Sequence, residues 1–296
     1  MLVDLHIHTM YSDGDKSLEE VLKLCETKKL KYISITDHHT CKAYEDKAII
    51  NNKIFTGKII IGSEMNAYRN NKRIEFLGYN IKHPKMIDEW FNKYYSEEVL
   101  TNRFNKDKRK VLEICNKYNL IYGNEILNKN IPITDFFVVH MFYELIKHKE
   151  NKKIIGEQYT NFNDFWHNEL ENPNSKFYMG ENDDPKPDYK DVEKLIHKAG
   201  GLVFLAHPFE YNLENTIEFI DELGTEVKLD GIECFHPSAE KENRINLLVD
   251  YARKNSLYIS GGSDFHGDKK PNIKIGCGGG TLKIDELYIK EWYENN

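Results

Sequence analysis

The first residues with a capacity for chemistry lie near the start of the chain, in the segment Asp4-Leu5-His6-Ile7-His8-Thr9. Apolar and polar residues alternate there, which predicts a strand over residues 2–8 with Asp4, His6 and His8 on the same side. Two imidazoles that converge in this way can bind a metal ion. An isolated His-x-His pair is a weak signal, because short motifs often arise by chance.

Histidines and carboxylates recur where other strands are predicted to end. Short apolar runs indicate these strands at residues 31–36, 59–62, 74–79, 202–206, 231–235 and 257–260. The polar groups that accompany them are Ser12-Asp13-Gly14, Thr36-Asp37-His38, Gly62-Ser63-Glu64, Ala206-His207-Pro208 and Gly262-Ser263-Asp264-Phe265-His266. Because the carboxyl ends of parallel strands meet at one rim, we expect these side chains to converge on one site.

The elements that must position these residues alternate along the chain. Helical patterns over residues 18–29 and 191–198 stand between predicted strands, which favours βα units and a parallel sheet. The middle of the chain is helical and rich in Asn and Lys, and residues 97–119 give its clearest helix. We therefore predict an α/β barrel over residues 1–84 and 190–296, with a mainly helical, lid-like insertion over residues 85–189.

Composition narrows the class of protein. Of the 296 residues, 40% are hydrophobic and 30% are charged, which is typical of an ordinary globular protein. The formal net charge of −7 gives no general attraction to nucleic acid, although a site loaded with cations can still be locally positive. Five scattered cysteines, no leader pattern and no long apolar run predict a cytoplasmic protein without a membrane span.

The types of the candidate ligands indicate which metals they would bind. Histidines and carboxylates without a thiolate suit Mn²⁺, Fe²⁺ or Zn²⁺. There are more of them than one ion with an open position can use, so we expect two or three divalent ions with Glu64 as the natural bridge. Paired ions about 3.5–4 Å apart activate a bridging hydroxide and stabilise an in-line displacement at phosphorus. The predicted reaction is therefore hydrolysis of a phosphate ester.

Taken in order, these motifs resemble those of the polymerase and histidinol phosphatase (PHP) family of phosphoesterases. The resemblance covers nearly the whole chain, and the run from Ala199 to Pro208 is similar to that of the nucleoside 3′,5′-bisphosphate phosphatases and related oligoribonucleotide exonucleases. Members of the family fold as a distorted (β/α)₇ barrel and bind two or three ions. The resemblance implies the same fold and cofactors for this chain.

Carried over by position, the resemblance also implies a ligand set. The first ion would be held by His6, His8, Glu64 and Asp264, the second by Asp13, His38 and His266, and the third by Glu64, the residue at position 75 and His207. Asp13, His38, Glu64 and Asp264 would carry the catalytic roles. The chain departs from the family at position 75, where Glu75 replaces a histidine. A carboxylate there would favour Mn²⁺ or Fe²⁺ over Zn²⁺.

The insertion contains candidate substrate contacts. Relatives place a basic helix and an Arg-x-His segment over the substrate phosphate. In this chain Arg103, Lys106 and Arg109 follow a three-residue spacing on one helix, and His140 retains the histidine without the arginine. These four residues are predicted to bind substrate, and the alternative is a solvated charged face.

Three functions remain open at this stage. The favoured one is a phosphatase for a small phosphorylated nucleotide that also acts on short RNA, with no obligate protein partner. A histidinol-phosphate phosphatase from the same superfamily is the second. The third is a metal-binding regulatory module without catalysis, which retention of every ligand position except 75 disfavours.

Overall fold

The computed structural model describes residues 2–133, 135–180, 184–211, 213–240 and 244–294. Its strands are β1 (Val3–Ile7), β2 (Tyr32–Ile35), β3 (Lys58–Ile59), β4 (Gly62–Arg69), β5 (Lys72–Tyr79), β6 (Leu202–Leu205), β7 (Gly231–Phe235) and β8 (Tyr258–Gly261). Its α-helices are α1 (Leu18–Thr27), α2 (Lys47–Ile50), α3 (Pro84–Tyr95), α4 (Glu97–Lys117), α5 (Glu125–Asn128), α6 (Phe137–Leu145), α7 (Lys149–Ile155), α8 (Phe162–Phe165), α9 (Tyr189–Lys198), α10 (Thr216–Glu226), α11 (Arg244–Lys254) and α12 (Glu286–Tyr293). The α/β class predicted from the sequence is confirmed. In the described ranges, no helix is both long and apolar enough to cross a membrane.

The strands of the described residues form two sheets, in the orders β1-β2-β3 and β4-β5-β6-β7-β8. Two single backbone bridges, Ile7 with Phe265 and His38 with Glu64, connect the edges of these sheets. Seven strands, all except β3, thus follow one another in a closed circuit of backbone contacts. Such a circuit is consistent with the distorted seven-stranded barrel that the sequence suggested.

The expectation of an all-parallel sheet is wrong for β5, which runs antiparallel to both β4 and β6. The cause lies in the two residues between β4 and β5, Asn70 and Asn71, which have φ angles of 51° and 64°. Asparagine tolerates this left-handed conformation better than most residues, and two such residues in succession make the tight turn of a β-hairpin. The chain therefore reverses where a crossover helix was expected.

The chain divides into two compact units, Met1–Asn92 with Lys186–Asn296, and Lys93–Pro185. We call the first the sheet unit and the second the helical unit. The insertion predicted over residues 85–189 begins eight residues before the helical unit and ends four residues after it. The difference at the start arises because α3 begins within the sheet unit. Its assignment as a lid remains a prediction.

In the sheet unit, aromatic side chains fix the C-terminal helix to the strands. The ring of Trp292 in α12 lies 5.5 Å from that of Tyr79 and 5.2 Å from that of Phe204, and all three side chains are fully buried. The Tyr79 hydroxyl also donates a hydrogen bond of 2.9 Å to the carbonyl oxygen of Leu5. The core thereby fixes β1, the strand that contains the first two histidines.

The helical unit has a hydrophobic core of its own, in which the ring of Phe142 lies 5.1 Å from that of Phe165 and Phe177 packs beside them. One polar side chain, Asn151, is fully buried there. Its amide accepts from the backbone nitrogen of Ile121 at 2.8 Å and donates to two carbonyl oxygens, so its burial leaves no hydrogen bond unmade.

An ion pair network at the end of α9 makes stability depend on pH. His197 donates to Glu193 at 2.8 Å and to Asp230 at 2.7 Å. The hydrogen bond to Asp230 raises the pKa of His197 above its usual value. Burial opposes the charge on Asp230, yet the hydrogen bond from His197 keeps the pKa of that carboxyl below its usual range.

We expect His197→Gln to lower stability by about 1 kcal/mol at pH 6, since the pair is partly exposed and screened. A raised histidine pKa stabilises the fold fully below the unfolded value near 6.5, and that contribution is lost as the pH rises through the folded pKa. The stabilisation is also lost at acid pH, as the pH falls through the lowered pKa of Asp230. Thermal unfolding at pH 6 and pH 9 measures the effect, with the exposed His83→Gln as control. An equal loss at both pH values would contradict the prediction.

Candidate metal centre

The two histidines of β1 meet the carboxylate of Glu64 in the interior of the sheet unit. The Nε2 atoms of His6 and His8 lie 3.1 Å apart, and each is 3.2 Å from Glu64 Oε2. His6 and His8 are fully buried and Glu64 is nearly so. Three atoms with lone pairs thus face one point, an arrangement that favours a cation at that point.

Glu64 also contacts two further histidines. Its Oε1 atom lies 2.7 Å from His207 Nε2, and its Oε2 atom lies 3.4 Å from His38 Nδ1. Burial opposes its ionisation, but the imidazoles of His6 and His38 hold the pKa of Glu64 well below its usual range. A carboxylate whose two oxygens face different histidines has the geometry of a bridge between metal ions.

The prediction that Glu64 ends a strand is wrong, because Glu64 is the third residue of β4. Its backbone pairs with Leu77 in β5 and also bridges to His38. The apolar run that precedes Gly62 was taken for one strand, whereas the chain forms the short β3 and then starts β4 at Gly62. Glu64 therefore reaches the site from the beginning of its strand.

A second group surrounds Asp13. Its carboxylate lies 3.4 Å from His8 Nδ1, 3.3 Å from His266 Nε2 and 3.7 Å from His38 Nε2. Burial raises the pKa of Asp13, but hydrogen bonds with His266 and His8 outweigh it and hold that pKa far below the usual range. The side chain of Asp13 is 51% exposed and that of His38 25% exposed, so this group forms the open side of the site.

The third group consists of Glu64, Glu75 and His207. Glu75 Oε2 lies 3.5 Å from His207 Nε2, and its Oε1 lies 3.9 Å from Arg73 Nε. Glu75 lies within β5, as the predicted strand over residues 74–79 required, and its backbone pairs with Asn66. Since the β4–β5 hairpin runs along the site, a side chain on its inner face reaches the group from the middle of the strand.

Asp264 completes the first group through a loop in close contact with β1. Its Oδ1 atom lies 3.5 Å from His8 Nε2 and 3.7 Å from His6 Nε2, and its backbone has a φ of 56°. The Asp264 amide donates to the His6 carbonyl oxygen at 2.8 Å. A Cβ atom on Gly262 would lie 2.2 Å from the His6 nitrogen, so only glycine allows this approach.

The side chains behind the histidines were missed by sequence reasoning. Glu233 in β7 accepts from His6 Nδ1 at 2.8 Å and from the backbone nitrogen of His207 at 2.8 Å. The first bond places the proton of His6 on Nδ1 and leaves Nε2 free to bind a cation. The available signal was a glutamate within the apolar run of β7. Because an unpaired buried carboxylate is costly, such a residue indicates a buried partner.

Two aspartates support the loops around the site. Asp4 accepts from the nitrogen and hydroxyl of Ser263 at 2.8 Å and 2.6 Å and from the nitrogen of Gly276 at 2.7 Å. Burial raises the pKa of Asp4 despite these bonds. Asp37 accepts from Thr9 and Ser12 at 2.6–2.8 Å, which orders the segment that leads to Asp13.

The predicted substrate contacts all lie in the helical unit, and so do the carboxylates with which three of them pair. Arg103 Nε and Lys106 Nζ are each 3.2 Å from a carboxylate oxygen of Asp184. His140 Nε2 lies 3.3 Å from Asp135 Oδ2. Arg109 is exposed. Their role in binding substrate therefore remains a proposal.

The donors of the sheet unit fit divalent cations. All nine predicted ligands occur in four overlapping groups, in each of which the candidate ligand atoms lie within 4.8 Å of one another; Asp264 is grouped with His6 and His236. Burial opposes protonation of His207, yet its contacts with Glu64 raise its pKa to about 10. The raised pKa indicates a strongly negative electrostatic potential around His207, and the same potential attracts a metal ion. No thiolate belongs to these groups of the described residues, as expected for Mn²⁺, Fe²⁺ or Zn²⁺.

We expect the chain, purified without chelator and reconstituted, to contain at least two equivalents of divalent metal, because three ligand groups exceed the needs of one ion. Plasma mass spectrometry gives the stoichiometry. Glu75→Ala should lower the content by about one equivalent through loss of the third group, whereas the exposed Glu214→Ala should not. One equivalent or fewer in the unaltered chain would refute the multinuclear site.

Glu233→Gln should weaken metal binding by about 10–100-fold, since an amide can present its N–H to His6 and disturb the proton on Nδ1. Titration with a competing chelator measures this affinity. The control is Glu214→Gln, which removes an exposed carboxylate. Unchanged affinity would mean that Glu233 serves packing alone.

Known proteins are similar to this chain along most of its length. The family model described as PHP domain matches residues 4–234. A 5′-3′ exoribonuclease of Haemophilus influenzae is 24% identical, with 89% of each chain covered. A phosphoribosyl 1,2-cyclic phosphate 1,2-diphosphodiesterase of Eggerthella lenta is 21% identical, over 90% of this chain and 95% of that one. A 5′-3′ exoribonuclease of Escherichia coli is 23% identical, over 93% and 88%.

Two solved structures share the fold. A protein of Bifidobacterium adolescentis designated a metal-dependent phosphoesterase has a TM-score of 0.66 at 20% identity, covering 98% of this chain and 94% of that one. An amidohydrolase of Chromobacterium violaceum with bound sulfate has a TM-score of 0.62 at 19% identity, covering 94% and 90%. The match to the family model, which spans more than half of the chain, decides the classification: the chain belongs to the PHP domain family.

Proposed function

We propose that this metal-dependent phosphoesterase of the PHP family removes phosphate from a small nucleotide of the 3′,5′-bisphosphonucleotide type. The observation that carries the proposal is the position of Glu64, whose two oxygens contact His6, His8, His38 and His207. One carboxylate at the junction of several ligand groups suits a site that binds two or three ions side by side. We infer that these are Mn²⁺, Fe²⁺ or Zn²⁺ ions.

Bound ions would supply Lewis acidity toward the phosphoryl oxygens and lower the pKa of a bound water. The residues of the chain divide the remaining tasks. His6, His8 and Glu64 are buried, so they close the inner side of the site to bulk water. Asp13 and His38 lie on the open side, and the ionised, half-exposed Asp13 can accept a hydrogen bond from water that enters there. Asp264 orients its Oδ1 toward the same centre from the opposite loop.

The nucleotide part of the proposal rests on the relatives. Two of them are named 5′-3′ exoribonucleases and a third is named for a phosphoribosyl cyclic phosphate, so all three names refer to phosphate esters of ribose compounds. The net charge of −7 disfavours long nucleic acid. Short 5′-phosphorylated RNA is the second candidate, favoured by the two exoribonuclease names.

The helical unit would contribute the substrate contacts Arg103, Lys106, Arg109 and His140. Arg103 and Lys106 already pair with Asp184, and a phosphate would have to displace that carboxylate. Exchange of one anion for another at the same cations costs little, because the dianionic phosphate forms stronger hydrogen bonds. Cytoplasmic activity is part of the proposal and follows from the five cysteines, all of which are unpaired.

A substrate panel tests this function. With Mn²⁺ present, we expect turnover of an aryl phosphate and a higher kcat/KM for a 3′,5′-bisphosphonucleotide than for short 5′-phosphorylated RNA or histidinol phosphate. His8→Ala and Asp264→Ala should each reduce turnover by at least about 100-fold, as removal of a metal ligand does. Higher kcat/KM for RNA would favour the second candidate. Absence of phosphate release from the whole panel would refute the function.

A further inference from the structure

Two hydrogen-bond donors outside the predicted ligand set converge on one atom at the edge of the metal centre. While Asp264 Oδ1 faces His6 and His8, its Oδ2 lies 2.5 Å from Lys270 Nζ and 3.5 Å from His236 Nε2. Lys270 follows the loop that contains Asp264, and His236 follows β7. Neither residue has a task in the function described above.

His236 has the residue type and position of a metal ligand, but the location of its proton makes it a hydrogen-bond donor. Its ring is 1% exposed, and His236, His6 and Asp264 could form a ligand group by distance alone. However, its Nδ1 accepts a hydrogen bond from the backbone nitrogen of Ser238 at 3.1 Å. An amide can only donate, so Nδ1 holds the lone pair and the neutral ring has its proton on Nε2. The Nε2–H group therefore points into the centre as a donor.

The Nε2–H group of His236 makes no short hydrogen bond with the described residues, and the acceptor that it faces, Asp264 Oδ2, lies 3.5 Å away. The nearest carboxylate on the other side of the ring, that of Glu210, is 3.8 Å from Nδ1 and does not compete with Ser238 for that atom. A buried donor with only this long contact is poorly satisfied, so an acceptor from outside the chain would stabilise it.

Lys270 brings a positive charge to the same point. Its side chain is 42% exposed, so the ammonium reaches the centre from the solvent side. One of its three N–H bonds is directed at Asp264, and an ammonium group cannot itself bind a metal ion. The four predicted carboxylate ligands carry a formal charge of −4, which two divalent ions alone would balance. With ions bound, the charge of Lys270 is available for another anion.

We propose that Lys270 and His236 form a phosphoryl-binding subsite beside the metal centre. This inference rests on the proposed function, and it assigns to the sheet unit a phosphate contact that was expected only from the insertion. Lys270 supplies charge and His236 supplies a fixed N–H group. A phosphate oxygen accepts from both, and charge-assisted bonds of this kind are stronger than neutral ones. The two residues bind substrate without taking part in bond cleavage.

The alternative role for this pair is to hold Asp264 in position as a ligand. The two roles differ in what a substitution changes. Loss of a residue that positions Asp264 weakens the metal ions first and phosphate only as a consequence. Loss of a phosphoryl contact weakens phosphate while the metal content and the affinity for metal stay the same.

The test is calorimetric titration of the Mn²⁺-loaded protein with inorganic phosphate, together with metal analysis of each variant. Lys270→Ala should raise the Kd for phosphate about tenfold, and the matched Lys269→Ala, which removes an exposed lysine one position earlier, should leave it unchanged. His236→Asn keeps an acceptor for the backbone nitrogen of Ser238 but removes the donor at the position of Nε2, so it should also weaken phosphate binding. His236→Gln keeps a donor at the far end and should retain more affinity.

Equal Kd values for Lys270→Ala and Lys269→Ala would overturn the inference, and so would a loss of metal affinity that accounts for the weaker phosphate binding. Failure of the loaded, unaltered protein to bind phosphate would overturn it as well. Turnover of an aryl phosphate by the unaltered protein tests the proposed function separately. Phosphate binding that depends on Lys270 without turnover would keep the subsite and refute the function.

Discussion

The structure of the sheet unit depends on the burial of carboxylates and imidazoles against one another. Glu64 and Glu233 are almost completely buried and ionised, and each faces histidine nitrogens at hydrogen-bond distance. Ionised groups in a dry interior are stable only when every lone pair has a partner. This requirement explains why the side chains around the site are ordered by further hydrogen bonds. Bound cations would also help to meet it.

The backbone meets the same requirement with strained geometry. His207 and Asp264 both have positive φ angles, 23° and 56°, although neither is glycine. Such conformations cost of order 1–3 kcal/mol each and persist where the surroundings determine them. At Asp264 the close approach of Gly262 to His6 and the bonds from Ser263 to Asp4 provide that support. The core around Trp292 and Tyr79 then fixes β1 beneath them.

The sequence predicted the α/β class and the residues that come together, because ligand types recur next to predicted strands. It did not predict the direction of β5, since the reversal depends on the conformation of Asn70 and Asn71 in a turn without glycine. Glu64 was placed at a strand end because the apolar run before Gly62 was taken for one strand, whereas β4 starts at Gly62. Glu233 lies in an apolar run, and its role depends on a contact with His6, which is far away in the chain. The position of the proton on His236 depends on the hydrogen bond from the backbone nitrogen of Ser238, which periodicity does not show.

His6, Glu64 and His8 each belong to more than one ligand group. Glu64 takes part in the first and the third, and His8 offers Nε2 to the first and Nδ1 to the second. An ion that polarises a shared ligand changes the electron density available to the next ion, and it also fixes the orientation of that ligand in advance. Uptake of successive ions would therefore be interdependent, with cooperativity of either sign, and the order of loading would be a property of the whole cluster.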